Sequence, residues 1–124
     1  MPHVAAADAP TFTLPGTTFT GLAAPSRGAR ENAVWRVSLE PGTPPRAHQL
    51  TREEILVATS GTAIASLNGE DIRFAAGDAL IIPAFADFSL ANPGDSAFEA
   101  VAVLPVGARA IMHDGAMFTP PWSL

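Results

Sequence analysis

A chain of 124 residues is sized for one domain, and with 48% hydrophobic against 15% charged residues it is too apolar to remain disordered. Its net charge of -5 argues against a groove for nucleic acid or an anionic membrane surface. The absence of cysteine removes disulfides, thiolate nucleophiles and zinc–thiolate sites, and with neither a secretory pattern over residues 1–10 nor a run of about 18 apolar residues, a cytoplasmic protein without a membrane span is expected.

Twelve prolines and ten glycines divide the chain into short stretches, which favours many short strands over a few long helices. Residues 1–10 are rich in alanine and proline and read as a flexible N-terminus ahead of a single domain over residues 11–124. Residues 11–14 and 17–22 are β-type runs split by Pro15-Gly16, and residues 25–32 are polar and read as a loop. Over residues 33–40 the alternation is clean: Trp35, Val37 and Leu39 fall on one face and Arg36, Ser38 and Glu40 on the other. Period two means a strand with one face on a core.

Pro41 to Pro45 form a turn, and short strands follow at 47–50 and 54–59. Between them residues 51–54 have room for a single helical turn. Residues 62–67 pair with 72–74 across Asn68-Gly69, both of which tolerate positive φ. Further strands are expected at 79–82, 88–91, 97–104 and 109–113. The tail, residues 118–122, is too proline-rich to be helical, and Trp122 is expected to pack back as a cap. Some ten strands with closely spaced turns describe an all-β sandwich or barrel.

Two spaced motifs carry a family resemblance. Gly42, His48, Glu54 and Gly61 match the pattern G-x5-H-x-H-x3,4-E-x6-G, with Leu50 in place of the second histidine. Gly77, Pro83 and Asn92 match G-x5-P-x-G-x2-H-x3-N, with Phe85 in place of the glycine and Phe88 in place of the histidine. Together they resemble the two motifs of the cupin family. The resemblance implies a double-stranded β-helix, the cupin jelly-roll barrel, with a pocket in its mouth.

In metal-binding members of that family the ligands fall at the positions of His48, Leu50, Glu54 and Phe88. Leu50 and Phe88 offer no donor, and a transition metal wants three or more N, O or S ligands. No cofactor is therefore expected; a residual metal would rest on His48 and Glu54 with ligands from outside the motifs. Strand parity puts His48 and Leu50 on one face, and the family pattern brings Glu54 there from a neighbouring strand. His48 and Glu54 are the candidate catalytic acid/base pair, with Arg36, Leu50, Leu56, Phe88 and Leu90 as the ligand-binding set. Glu54 has a plainer reading as an ion-pair partner of Arg36 or Arg46, and His48 as a rim residue hydrogen-bonded to Glu54.

Three functions stay open: a metal-independent lyase, isomerase or cyclase acting on a small apolar or aromatic molecule; a non-catalytic binding or sensing module; and a metal-dependent cupin enzyme. Fold alone does not choose among them. A homodimer is expected, because residues 11–22 form an apolar β-type segment outside both motifs and an open strand edge calls for a partner.

Overall fold

Alternation decides the layering. The structure, a computed structural model, describes residues 3–124. Strand β3 (Asn32–Leu39) turns Ala33, Trp35, Val37 and Leu39 inward, and β10 (Phe98–Pro105) answers with Phe98, Ala100, Ala102 and Leu104. The two pair antiparallel from Phe98↔Leu39 to Pro105↔Asn32. The other strands are β1 (Thr11–Leu14), β2 (Thr17–Ala23), β4 (Gln49–Leu50), β5 (Glu54–Ser60), β6 (Thr62–Leu67), β7 (Glu70–Ala75), β8 (Ala79–Ile82), β9 (Phe88–Ala91), β11 (Ala110–Ile111) and β12 (Met117–Phe118).

One six-stranded sheet runs β1-β2-β3-β10-β5-β8. Two three-stranded sheets, β7-β6-β9 and β12-β11-β4, face it. The isolated bridges His48↔Phe88 and Thr43↔Asn92 join those two edge to edge, so the second layer reads β7-β6-β9-β4-β11-β12. Strands with their isolated bridges occupy 52% of the described residues and helix 7%, and the architecture is the all-β jelly roll. Among the described residues no helix is long and apolar enough to cross a membrane.

The motif residues that are not in the site hold the turns. Asn92 is fully buried; its Nδ2 donates to Leu39 O and Ser96 O, and its Oδ1 accepts from Gly94 N. Its backbone pairs with Gly42 and Thr43, fastening the turn before His48 to the end of β9. Gly61 has φ 76, and a Cβ there would collide with Ala97 O. Asn68 and Gly69, at φ 50 and 84, close the β6–β7 hairpin as expected. Phe85, where the second motif has glycine, takes φ 65 and is 58% exposed. Its N–H donates to Leu50 O at 2.8 Å, so the strained turn between β8 and β9 anchors β4.

Several local expectations change. Residues 51 and 52 form a bend and Glu54 already belongs to β5, so no helical turn forms there. Single 3-10 turns form instead at Ala6–Asp8, Pro25–Arg27 and Pro121–Ser123. The tail expected to be non-helical thus ends in one, because proline at the first helical position gives up an N–H that would be unbonded anyway. Residues 1 and 2 of the expected flexible N-terminus lie outside the described residues. Over the rest of that segment, Ala5 O accepts from Arg27 Nη2 at 2.7 Å, and Arg27 Nη1 donates to Gly21 O and Leu22 O.

Candidate functional site

Between the layers, along the Trp35–Leu39 half of β3, lies a cavity of about 140 Å³. Its walls are mostly hydrocarbon. The inward parity of β3 supplies Trp35, Val37 and Leu39; β2 and β1 add Phe19 and Leu14; the facing layer adds Leu50, Phe88 and Leu90. The C-terminal segment closes it. Trp122 lies flat on Phe19, centroids 3.6 Å apart and planes 1° from parallel, and meets Phe12 and Trp35 edge-on. The cap expected at Trp122 is therefore present, with Phe118 and Pro120 beside it.

Six of the seven residues singled out from the sequence line this cavity: His48, Leu50, Glu54, Leu56, Phe88 and Leu90. Arg36 does not. It sits on the exposed face of β3, opposite to Trp35 and Val37, because a strand turns consecutive side chains to opposite sides. Its place is taken by Arg46, on the loop before β4, which lines the cavity while remaining exposed and so stands at the rim. Thr43 and Pro44 of the same loop also line it, and no periodicity marks such a segment in advance.

Glu54 opens β5, paired with Ile82 of β8, and shares inward parity with Leu56 and Ala58. It is 5% exposed. Its carboxyl has no hydrogen bond among the described residues, yet no fully enclosed side-chain polar atom lacks a partner. Its oxygens must therefore open onto the cavity. Burial alone pushes this carboxyl up from 4.5 to about 8. Glu54 is thus a neutral acid at neutral pH, with no ion pair to Arg36 or Arg46 within 4.0 Å.

His48 is half-buried in the middle of the second layer, at the seam between β9 and β4, where its backbone exchanges two hydrogen bonds with Phe88, at 2.9 and 3.0 Å. The ring meets Phe88 edge-on at 5.9 Å. Its Nδ1 lies 3.1 Å from Arg46 O. A carbonyl only accepts, so Nδ1 carries the proton and Nε2 is left with the lone pair. Burial lowers the pKa of His48, opposed by the bond to Arg46 O and aided by the Arg46 charge.

The expected contact between His48 and Glu54 is not made. Glu54 belongs to the six-stranded sheet and His48 to the layer facing it, and packed sheets stand about 10 Å apart. The two groups address the cavity from opposite walls as a neutral base and a neutral acid. His48 also borders a second cavity of about 140 Å³, on its outer side, with Gln49, Asp87 and His113. There Gln49 Nε2 donates to Asp87 Oδ1 at 2.8 Å.

The donor set does not fit a transition metal. Two of the four positions that hold one in the resembled family are Leu50 and Phe88, both buried hydrocarbon. Among the described residues no group of three or more His, Cys, Asp or Glu side chains is placed to hold an ion.

A family model described as Cupin domain matches residues 35–104. Solved structures of similar fold include the polyketide cyclase RemF from Streptomyces resistomycificus, at 18% identity and TM-score 0.75, with 85% of this chain and 79% of that one covered. An RmlC-like cupin from Shewanella frigidimarina is 13% identical with TM-score 0.71, over 82% of this chain and 87% of that one. A sugar phosphate isomerase of the cupin superfamily from Silicibacter pomeroyi is 18% identical with TM-score 0.65, over 84% and 76%. At such identities the likeness is one of fold. No curated protein sequence matches this one.

Proposed function

The chain belongs to the cupin family, and from that premise we propose that it binds a small, largely apolar or aromatic molecule in the barrel cavity and acts on it without a metal, as a lyase, isomerase or cyclase. One observation carries this reading: Leu50 and Phe88 replace metal ligands with hydrocarbon, while His48 and Glu54 still line the same cavity. The polyketide cyclase RemF, of similar fold, has a chemistry within the proposed class.

The chemistry follows from the two protonation states. His48, neutral with Nε2 free, accepts a proton from carbon. Glu54, neutral, gives a hydrogen bond or its proton to an oxygen on which charge develops. Walls of hydrocarbon keep water out and strengthen both interactions. This is the arrangement in which burial, rather than a metal, prepares an acid for work at neutral pH.

The test begins with mass spectrometry of the purified protein under native conditions, to find an organic molecule retained in the cavity. Turnover of that molecule is then compared with His48→Gln and Glu54→Gln. Each replacement should lower turnover by at least about a hundredfold, the scale of general acid/base catalysis. If both variants turn it over like the wild type, the pair is structural. If the wild type binds it without converting it, the chain is a binding or sensing module.

The protein also assembles as a homodimer under this proposal. What supports it is β1, an edge strand of the six-stranded sheet with Leu14 40% exposed. Light scattering at micromolar concentration tests it, and a monomeric mass refutes it.

A further inference from the structure

The polar groups of the cavity are few and unevenly placed. Only Arg46, His48 and Glu54 among its lining side chains are charged or titratable. The Thr43 hydroxyl is occupied, donating to Glu40 O at 2.7 Å and lying 3.1 Å from Gly16 O. Glu54 is the inner group, almost fully buried and without a partner. Arg46 is the rim group, exposed to solvent and paired with no carboxylate within 4.0 Å among the described residues.

Size limits what fits between them. An apolar cavity of about 150 Å³ takes one benzene ring, and this one measures about 140 Å³. Resting on the apolar-ligand reading above, we infer that the ligand is a single six-membered ring bearing a ketone oxygen directed at Glu54 and an anionic substituent held at the mouth by Arg46.

The two ends follow from different physics. A carboxyl cut off from water and counter-ions keeps its proton, and its O–H then needs one acceptor. A ketone oxygen accepts and cannot donate, so it satisfies that O–H, with the Thr17 hydroxyl on β2 as a second donor in the same lining. A ring amine is the rival, since it would pair with ionised Glu54. It is disfavoured twice: burying an ion pair costs the hydration of both charges, and the Arg46 guanidinium at the entrance repels a cation. The same guanidinium attracts a carboxylate, to which it can offer two parallel N–H donors.

The protein reports its own occupancy. Its two tryptophans, Trp35 and Trp122, both line the cavity, so ligand entry should change intrinsic fluorescence. The probes are 4-oxocyclohexane-1-carboxylate, cyclohexanone, cyclohexanecarboxylate and cyclohexylamine. The keto acid should bind about tenfold more tightly than either cyclohexanone or cyclohexanecarboxylate, the effect of one charge-assisted or fully buried hydrogen bond. Arg46→Gln should cancel its advantage over cyclohexanone. Glu54→Leu should cancel its advantage over cyclohexanecarboxylate, while Glu54→Gln, whose amide N–H still donates, should retain most of it.

Tightest binding by cyclohexylamine overturns the inference, as does loss of the ketone preference in Glu54→Gln to the extent seen in Glu54→Leu. Arg46 is exposed, so that arm is readable even where a Glu54 variant folds poorly. Equal binding of the keto acid and cyclohexanecarboxylate overturns the inference and leaves the apolar-ligand reading standing. No binding of any of the four at millimolar concentration overturns both. Proton exchange beside the ketone in deuterium oxide, lost in His48→Gln, reports separately on catalysis.

Discussion

Glu54→Gln should change the way stability depends on pH, by an amount that can be worked out. Burial holds the Glu54 carboxyl at about 8 in the folded protein against 4.5 as the ordinary value. Between those values the folded state keeps a proton that the unfolded chain has lost. Stability from this group is therefore complete below 4.5 and declines as pH rises to 8, at up to about 1.4 kcal/mol per pH unit. His48 works in the opposite sense. Its folded pKa lies below 6.5, so the unfolded chain takes the extra proton and stability is lost as pH falls below 6.5. The His48 contribution is common to wild type and Glu54→Gln and cancels between them, which leaves their difference over the interval from 6.5 to 8 to Glu54. Over that interval the slope amounts to roughly 2 kcal/mol. Glutamine keeps the shape and removes the titration. Urea unfolding of wild type and Glu54→Gln at pH 6.5 and pH 8 should therefore show the variant gaining about 2 kcal/mol relative to wild type, roughly 8 °C in Tm for a chain of this size. Parallel dependence on pH in the two proteins would refute the assignment of Glu54 as a buried, unpartnered acid.

Dialysis against chelator should leave no stoichiometric transition metal by elemental analysis, whereas Leu50→His combined with Phe88→His restores donors at all four of the family's ligand positions and should take up one equivalent of zinc. Phe85→Gly should stabilise the protein by about 1 kcal/mol in chemical denaturation, since a non-glycine residue in the left-handed region costs about 1–2 kcal/mol and this ring is mostly exposed; a loss of stability would show that the ring has a partner. Trp122→Ala should cost roughly 2–3 kcal/mol and lower the affinity for any cavity ligand, because it removes both the stack on Phe19 and the cover of the cavity. A change in stability under about 0.5 kcal/mol would mean that the cap is not held by that stack.

The fold was legible because its information is local. Period-two alternation in residues 33–40 marks Trp35, Val37 and Leu39 as inward, and Asn68-Gly69 marks a hairpin, without reference to distant parts of the chain. The cavity wall was legible to the same extent, through motif spacing at His48, Leu50, Glu54 and Phe88. Arg36 was misplaced by setting aside the very alternation that assigns it to the outer face. The His48–Glu54 contact failed for another reason: the family pattern was taken to bring Glu54 in from a neighbouring strand, whereas the loop between β4 and β5 crosses from one layer to the other. Arg46 was hidden as a cavity residue because loops carry no period, and the cap expected at Trp122 came without its partner in the wall. The Phe19–Trp122 stack joins residues more than a hundred positions apart.

His48 borders both the greasy cavity and, on its other side, the polar cleft of Gln49, Asp87 and His113. Under the acid/base reading, the ring is a wall with a solvent-facing exit. A hydrogen lifted from the ligand need not wait for the ligand to leave before it is diluted into bulk water. An isomerisation run on deuterated ligand should then give product whose transferred position carries solvent hydrogen, with little label carried across within one molecule. Filling the cleft from outside, for example with His113→Trp, should raise the fraction of label retained without narrowing the entrance used by the ligand.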